Sequence, residues 1–246
     1  DVICGVGLAA GGFVVTAVVY IFGMEKYRPI LRPSLLTAFL GYTLVVVGLL
    51  FDLGKPWNIW HCLIYWNFHS PLFEVAWCVM MYTSVLAAEV SLMVFERFGW
   101  VRLQKFFKKV VVVLVVMGIL LSTLHQSTLG TLFVIFPYKL HPLWYSTILP
   151  VLFFISCIAA GLAMVIFESF LSGRFLGHEV KRDILARLSQ YMCLVLGIYF
   201  MVRMQDLIAR GAITHVLKPT YETGVFFLEV LLGVVAPIVL IMIPSL

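Results

Sequence analysis

The chain has 246 residues, of which 63% are hydrophobic and 12% are charged, and its formal net charge is +5. A soluble domain of this length could not cover so much apolar surface, so the composition excludes one. The apolar runs are long enough to cross a bilayer as helices, which predicts an all-α polytopic membrane protein and not a β-barrel. The basic residues lie in short segments between these runs, so they indicate membrane topology and not nucleic-acid binding.

Seven apolar spans have about the length that a bilayer requires. They cover, in order, about residues 2–23, 34–54, 72–95, 110–130, 147–168, 189–208 and 222–245. The first span begins almost at once, at a residue that is not methionine. We therefore expect the chain to be incomplete, with at least one further helix before residue 1.

The segments between the spans differ sharply in charge. Residues 24–33, 96–109 and 169–188 together carry twelve Lys and Arg residues, whereas residues 55–71, 131–146 and 209–221 carry four. Loops rich in Lys and Arg stay on the cytoplasmic side of a membrane. The first three segments are therefore predicted to be cytoplasmic, and residue 1 is predicted to lie outside.

Polar and aromatic residues concentrate at the predicted outer face, between Tyr42 and Met80. The second span ends in Asp52, a loop that contains tryptophans and His69 follows, and the third span opens near Glu74. A carboxylate beside hydrocarbon is costly to keep, so Asp52 and Glu74 indicate a functional site. The alternative is that the tryptophans form an interfacial belt and that Asp52 only ends a helix.

A b-type haem is the first cofactor to weigh at such a site. Haem held between helices needs two histidines that face each other at the same depth. Only His125 lies well inside a span, because the other histidines are in or near loops. The five cysteines are scattered without close pairs. The sequence therefore predicts no haem, no iron–sulfur cluster and no metal site in this chain.

A quinone pocket is the second hypothesis. Such a pocket is a mostly apolar cavity with a few convergent polar groups. The outer ends of the second, third and fourth spans offer these groups, and imidazole can transfer a proton near neutral pH at little cost. The candidate quinone-binding residues are Tyr42, Asp52, His69, Glu74 and His125. For His125 a hydrogen bond between helices is the structural alternative.

Carboxylates at several depths predict a proton path that starts from Glu74 and His125. Glu74 and Glu89 are fifteen residues apart on one helix, which places them about 60° apart in azimuth and roughly 22 Å apart along the axis. Aligned carboxylates of this kind are typical of proton relays. Glu168, at the inner end of the fifth span, and Glu229, about two turns into the seventh, would extend or duplicate the route, or Glu168 is simply a solvated helix end. Arg203 and Asp206 are three residues apart and are predicted to form an ion pair.

A weak internal repeat relates the spans at a distance of about 150 residues. The first span carries GLAAGG (7–12) and the fifth carries AAGLAM (159–164), which are small-residue faces suited to close helix contact. Matched spans have the same orientation, as in repeats related by an axis along the membrane normal. The repeat predicts a first bundle over residues 1–130, with the candidate quinone site, and an incomplete second bundle over 131–246. It also predicts a further helix after Leu246.

Several runs of sequence resemble the NrfD/PsrC family of quinone-interacting membrane subunits. They are GYTLVVVGLLFDLGKPWNIWH, FHSPLFEVAWCVMMY, STLHQSTLGTLF and LHPLWYSTILPVLFFISCIAAGLAMVIFES, which together extend over nearly the whole chain. Within the family, the chain is most similar to the HybB-type branch of membrane-bound nickel–iron hydrogenases. Asp52 falls in the family's DLG motif and Glu74 in the motif that opens the next helix, while His125 and His141 fall in the LHQ and HP motifs of the branch.

The resemblance implies two four-helix bundles related by a pseudo-twofold axis in a bacterial inner membrane. It implies that a ferredoxin-like iron–sulfur subunit on the periplasmic face exchanges electrons with menaquinone or ubiquinone at this subunit. In the HybB-type branch, the electrons come from the small and large subunits of a hydrogenase. The family has no haem of its own. The chain is shorter than the family pattern.

Other readings stay open. The nearest is another NrfD-type complex, such as a polysulfide, nitrite or alternative complex III type enzyme. A haem b membrane anchor is a further possibility, as is a secondary transporter. A transporter would have broken helices paired at mid-depth in both halves. Pro237 in the seventh span has no counterpart in the third, which argues against transport.

Overall fold

The protein was analysed as a computed structural model that describes residues 2–52, 54–176 and 182–243. Of these residues, the side chains of 2–4, 52, 71 and 176 are outside the description. Within these ranges every regular element is helical and no strand is present. The prediction of an all-α protein is therefore confirmed.

Seven segments account for most of the helix. They are α1 (Val2–Tyr20), α2 (Arg28–Asp52), α4 (Pro71–Phe98), α5 (Val101–Ile135), α6 (Leu149–Leu176), α7 (Arg182–Ala209) and a last segment made of α9 (Tyr221–Val230), a π-turn (Leu231–Val235) and α10 (Ala236–Met242). Two short helices, α3 (His61–Ile64) and α8 (Ile213–Val216), lie in the connections. Single 3₁₀ turns cover Glu25–Tyr27, Pro56–Asn58 and Pro137–Lys139.

Each of the seven predicted spans is confirmed as a helix, but several helices extend further at the end with the basic residues. The helix α2 begins six residues before the predicted span and α5 begins nine residues before it, while α6 continues to Leu176 and α7 begins at Arg182. Hydropathy marks only the part of a helix that lies in hydrocarbon. The backbone hydrogen bonds continue past that boundary where charged residues are compatible with a helix.

Six of these segments are long and apolar enough to cross a bilayer, and Gly5–Tyr20 in α1 is a shorter apolar helix. Many large apolar side chains are exposed along them, as is typical of helices that face lipid. The chain is therefore a multi-pass integral membrane protein.

The helices α1, α2, α4 and α5 pack against one another, and α6 packs against α1, α5 and α7. The contact between α1 and α6 is unusually close, because a Cβ atom on Gly161 would lie 2.5 Å from the backbone nitrogen of Gly11. The two predicted small-residue faces therefore meet each other. The predicted boundary at residues 130 and 131 falls inside α5, and the division into two bundles stays a prediction.

Two irregular points shape the hairpins. Gly99 adopts φ +70° after the last residue of α4, and its backbone N–H donates to the carbonyl of Phe95. This left-handed cap lets α5 begin only two residues later. In the last segment, Pro237 has no backbone N–H to continue the helix ladder, and a π-turn precedes it.

Candidate functional site

A cluster of aromatic and polar side chains lies in the interior between α2, α4 and α5. Tyr42 and Tyr82 stack edge to face with ring centroids 4.5 Å apart, and the rings of Tyr42 and His125 are 6.0 Å apart. Ser122 lies one turn before His125 on the same face of α5. The four side chains are at most 1% exposed. We call these four residues the buried cluster.

Several polar atoms of the buried cluster lack a hydrogen-bond partner. Both ring nitrogens of His125 have no hydrogen-bond partner among the described residues, and the hydroxyl groups of Tyr42 and Ser122 have none within 3.5 Å, although the Ser122 hydroxyl lies near those of Tyr42 and Tyr82. A buried polar group without a partner costs on the order of 1–3 kcal/mol, so native structures keep few of them. These atoms can bind a polar group that enters the interior, either as donors or, at one imidazole nitrogen and the hydroxyl oxygens, as acceptors.

Glu74 contacts α5 one turn beyond the buried cluster. It lies in the first turn of α4, where a carboxylate is favoured by the helix dipole. The hydroxyl of Thr128 donates to its Oε1 at 2.8 Å. Thr128 is three residues after His125 and shares its side of α5, so Glu74 lies at the end of the same helix pair that the sequence predicts to be the outer one.

One predicted quinone-binding residue, His69, is not brought to this cluster, and the side-chain position of another, Asp52, is outside the description. The side chain of Asp52 lies outside the described part of the chain, and only its position as the last residue of α2 is known. His69 is an exposed loop residue whose backbone N–H donates to the Asn67 side chain at 3.3 Å. Its imidazole forms no hydrogen bond with any described residue.

Glu89 lies deeper on α4 and is 6% exposed. It is seven residues after Tyr82, so the two side chains are on the same face, about 10 Å apart along the axis. Both line one small cavity, together with Thr16 of α1 and Gly118 of α5. The buried cluster and Glu89 therefore form a broken line of polar groups that runs through the helices away from Glu74.

Glu168 belongs to a different helix pair. It is partly buried near the inner end of α6, and the hydroxyl of Thr37 on α2 donates to its Oε1 at 2.5 Å. It is thus a hydrogen-bonded carboxylate about two turns before the end of α6, so the alternative of a solvated helix end is wrong, and no contact with Glu89 is present in the described structure.

The structure contains a larger cavity that the sequence analysis did not predict. It has a volume of about 560 Å³ and lies between α1, α5, α6, α7 and α9. Its lining is mostly apolar, and its polar members are Gln126, Trp144, Ser156, Tyr199, Arg203 and Glu229. Gln126 directly follows His125 on α5, and its side-chain nitrogen has no partner among the described residues. The cavity therefore approaches α5 at the level of the buried cluster.

The predicted ion pair between Arg203 and Asp206 is wrong. Arg203 points into the interior, where its guanidinium lies 3.5 Å from Glu229 and donates to the Tyr199 hydroxyl at 2.9 Å. Asp206 instead pairs with Arg210, one turn further along α7, at 2.7 Å. Spacings of three and four residues both allow a local pair, and the tertiary contact with α9 decides which one forms.

Comparison with known proteins identifies the family. The model of the family described as "Polysulphide reductase, NrfD" matches residues 5–246. The chain belongs to the NrfD family. The resemblance predicted from the sequence is therefore confirmed.

Three relatives illustrate the range of this family. A protein of Nitratidesulfovibrio vulgaris is 43% identical over 96% of this chain and 62% of its own length. The probable Ni/Fe-hydrogenase 2 b-type cytochrome subunit of Escherichia coli is 34% identical over 94% of this chain and 60% of its own length. The integral membrane subunit of a menaquinone reductase of N. vulgaris is 27% identical over 52% of this chain and 32% of that protein. No solved structure matches the chain.

This NrfD-family chain spans about three fifths of the length of the first two relatives. The sequence indicated Tyr42, His125 and Glu89 as candidates but did not indicate Tyr82 and Ser122, which the structure places beside Tyr42 and His125. Both lie on the same helix face as a predicted residue: Ser122 is three residues before His125, and Tyr82 is seven before Glu89. Their spacing was the signal that could have found them.

Proposed function

We propose that this NrfD-family chain is the quinone-reactive membrane subunit of an oxidoreductase complex. Electrons pass between a partner's iron–sulfur clusters and membrane quinone, and protons move with them. The family membership and the menaquinone reductase relative support this assignment. The observation that carries it is the buried cluster, in which Tyr42, Ser122 and His125 hold uncommitted hydrogen-bonding atoms in the membrane interior.

Quinone chemistry needs these groups. A quinone is an apolar molecule with two carbonyl oxygens, and its reduction to quinol takes up two electrons and two protons. Hydroxyl groups and an imidazole N–H can donate to the carbonyl oxygens, and imidazole can transfer a proton near neutral pH. In this proposal Tyr42 and His125 bind the headgroup and His125 transfers a proton. Asp52, the last residue of α2, and His69, in the loop before α4, are proposed to contact quinone at the outer face, apart from the buried cluster.

The proton route of the proposal follows the carboxylates. Glu74, bonded to Thr128 beside the buried cluster, exchanges protons with the outer face. Tyr82 and Glu89 extend the polar line toward the inner face. Glu168, which accepts a hydrogen bond from Thr37, is the last group of the proposed proton route. It would act at the inner end of a different helix pair.

The partner proposed here is a nickel–iron hydrogenase. This rests on the hydrogenase subunit of E. coli, which is 34% identical to the chain. A ferredoxin-like iron–sulfur subunit would dock on the periplasmic face and receive electrons from the hydrogenase small and large subunits. The chain would lie in a bacterial inner membrane with its basic loops in the cytoplasm. An alternative partner is the catalytic unit of another NrfD-type reductase, and the substrate oxidised or reduced by the purified complex distinguishes the two.

The test compares two electron acceptors in the purified complex. We expect His125→Gln to lower quinone turnover by roughly a hundredfold, since positioned proton transfer contributes about that much. Tyr42→Phe removes one hydrogen bond to the headgroup and should lower quinone turnover by up to about tenfold. Hydrogen oxidation with an artificial acceptor should not change, because that acceptor bypasses the membrane subunit. Tyr138→Phe is the matched control, because Tyr138 is 75% exposed and lies outside the site. Unchanged quinone turnover in both site variants would overturn the placement of the site.

A further inference from the structure

The turn between α4 and α5 carries a dense group of cations. Arg97, Arg102, Lys105, Lys108 and Lys109 are all exposed, within thirteen residues of sequence. Among the described residues, Glu96 is the only carboxylate that forms a salt bridge with any of them; it pairs with Lys108 at 3.9 Å and with Arg32 of α2 at 2.6 Å. In the same part of the chain Arg102, Lys105 and Lys109 form no salt bridge. We call these three residues the cation trio.

The local electrostatics of the cation trio are unfavourable without an anion. The first turn of α5 contains no acidic residue, and Arg102 is its second residue. A helix N-terminus carries a partial positive charge in its first turn, so the helix dipole repels Arg102, and the three cations repel one another. A bound anion would relieve this repulsion.

The cation trio continues directly into an apolar stripe on the same face of α5. At 100° per residue, the cation trio covers about 60° of the circumference of α5. Adding the apolar residues Val113, Val116 and Leu120 widens this sector only to about 80°. These three apolar residues are 59%, 41% and 58% exposed. The distance along the axis from Lys109 to Leu120 is about 16 Å, close to the roughly 15 Å of one hydrocarbon leaflet.

The length of α5 indicates how deep the cation trio and the apolar stripe lie in the membrane. Its 35 residues extend about 52 Å, so the helix is longer than the roughly 30 Å hydrocarbon core and one end must emerge from it. Trp100 and Phe106, exposed by 53% and 61%, flank the cations. Trp is typical of the membrane–water interface, where Lys and Arg extend to the headgroups. The cation trio therefore lies at headgroup level and the stripe at acyl-chain level.

We propose that this face of α5 is a binding site for an anionic phospholipid. The cation trio binds the phosphate of the headgroup, and an acyl chain lies along Val113, Val116 and Leu120. Charge complementarity selects an anionic lipid over a zwitterionic one, and the apolar stripe selects a lipid over free phosphate. A bound lipid would hold the α4–α5 turn, and with it the helices that carry Glu89 and His125, at a defined depth.

The experiment measures lipid binding to the protein purified in its native complex. Tail-labelled phosphatidylglycerol is titrated in neutral detergent, with phosphatidylcholine and inorganic phosphate as competitors. Each Lys or Arg near a membrane surface contributes about fivefold to the affinity for anionic lipid. We therefore expect the triple variant Arg102→Gln, Lys105→Gln, Lys109→Gln to bind phosphatidylglycerol on the order of a hundredfold more weakly, while phosphatidylcholine and phosphate fail to compete.

The matched control removes the same charge from another basic segment with Arg174→Gln, Arg182→Gln and Arg187→Gln, and its affinity should change less than fivefold. Equal weakening in the two triple variants would overturn the proposal, because the cations would then act only through net charge. Competition by inorganic phosphate or by phosphatidylcholine would also overturn it. If the first triple variant does not assemble, the unsubstituted complex is used instead. Phosphatidylglycerol should then raise its melting temperature, whereas phosphatidylcholine and inorganic phosphate should neither raise it nor displace the labelled lipid.

Discussion

At the scale of single residues, position in the packing separates side chains of the same type. His125 is fully buried with both ring nitrogens uncommitted, whereas His69 is exposed in a loop. Arg203 is 8% exposed, whereas Arg28 forms its ion pair at the surface. A side chain in the interior loses its water partners and must find protein or ligand partners instead, so its chemistry follows from its neighbours.

The ion pair of Arg203 and Glu229 allows a direct test of how much a buried charge depends on its partner. We expect Glu229→Gln to lower the free energy of unfolding by about 1–3 kcal/mol, since it leaves a buried guanidinium without its counter-charge while the Glu229 carboxylate is itself partly exposed. Glutamine can still accept the hydrogen bond from the Trp144 indole nitrogen, at 2.5 Å in the native protein, so only the charge is lost. Stability is measured by unfolding in mixed micelles.

The same substitution in an Arg203→Met background should cost much less, because no buried cation then remains. The exposed pair of Arg28 and Glu25 provides the comparison, and Glu25→Gln should change stability by less than about 0.5 kcal/mol. Strictly additive costs for Arg203→Met and Glu229→Gln would contradict the pairing.

At the scale of helices, the absence of side chains lets backbones approach. Gly11 and Gly161 bring α1 and α6 together, and a Cβ atom on Gly130 would lie 2.6 Å from the Cα of Pro150, so α5 and α6 also meet closely. Between membrane helices there is little hydrophobic driving force, and close packing of small residues supplies the attraction instead. These contacts join the first four long helices to α6.

Gly161→Ala tests this packing. A methyl group at that position would lie 2.5 Å from the Gly11 nitrogen and 2.7 Å from the Ala10 carbonyl carbon, both of which belong to backbone that cannot rotate away. We expect a loss of about 1–3 kcal/mol in unfolding free energy, as is typical of overpacking. Gly197→Ala is the control, because nothing lies within 4 Å of its added Cβ and alanine favours helix. Equal stability of the two variants would show that α1 and α6 separate without cost.

At the scale of the whole molecule, the arrangement of the histidines determines whether the helices could hold a haem. His125 is the one histidine within the described membrane helices, and its ring packs against Tyr42. His141 and His215 are close to each other, with ring centroids 5.7 Å apart, but they lie in connections outside the long helices. A b-type haem between two helices would need a second histidine facing His125.

We therefore expect the isolated membrane subunit to contain no haem. The measurement is the optical spectrum of the purified subunit in its oxidised and reduced forms, together with extraction of haem as its pyridine complex. One haem per chain, lost in His125→Gln, would contradict the prediction and favour the anchor reading. A haem that is retained in His125→Gln would also contradict the prediction, and histidines in the loops would then be its ligands.

Much of the architecture could be predicted from the sequence, because a helix in hydrocarbon must satisfy its own backbone hydrogen bonds and must present apolar side chains over about twenty residues. That constraint is local, so seven helices and the class of the protein followed from composition and pattern alone. The motif runs likewise placed the chain in its family. Helix ends beyond the hydrocarbon, such as the start of α5 at Val101, were missed because hydropathy carries no signal there.

Only the tertiary structure decided which residues meet. The sequence placed Arg203 near Asp206, but packing of α9 against α7 gave it Glu229 instead. It placed Tyr42 and His125 in one candidate pocket, and the contact between α2, α4 and α5 added Tyr82 and Ser122 to them. Spacing along a helix determines the direction of a side chain, whereas its neighbours depend on how distant helices rotate and approach one another.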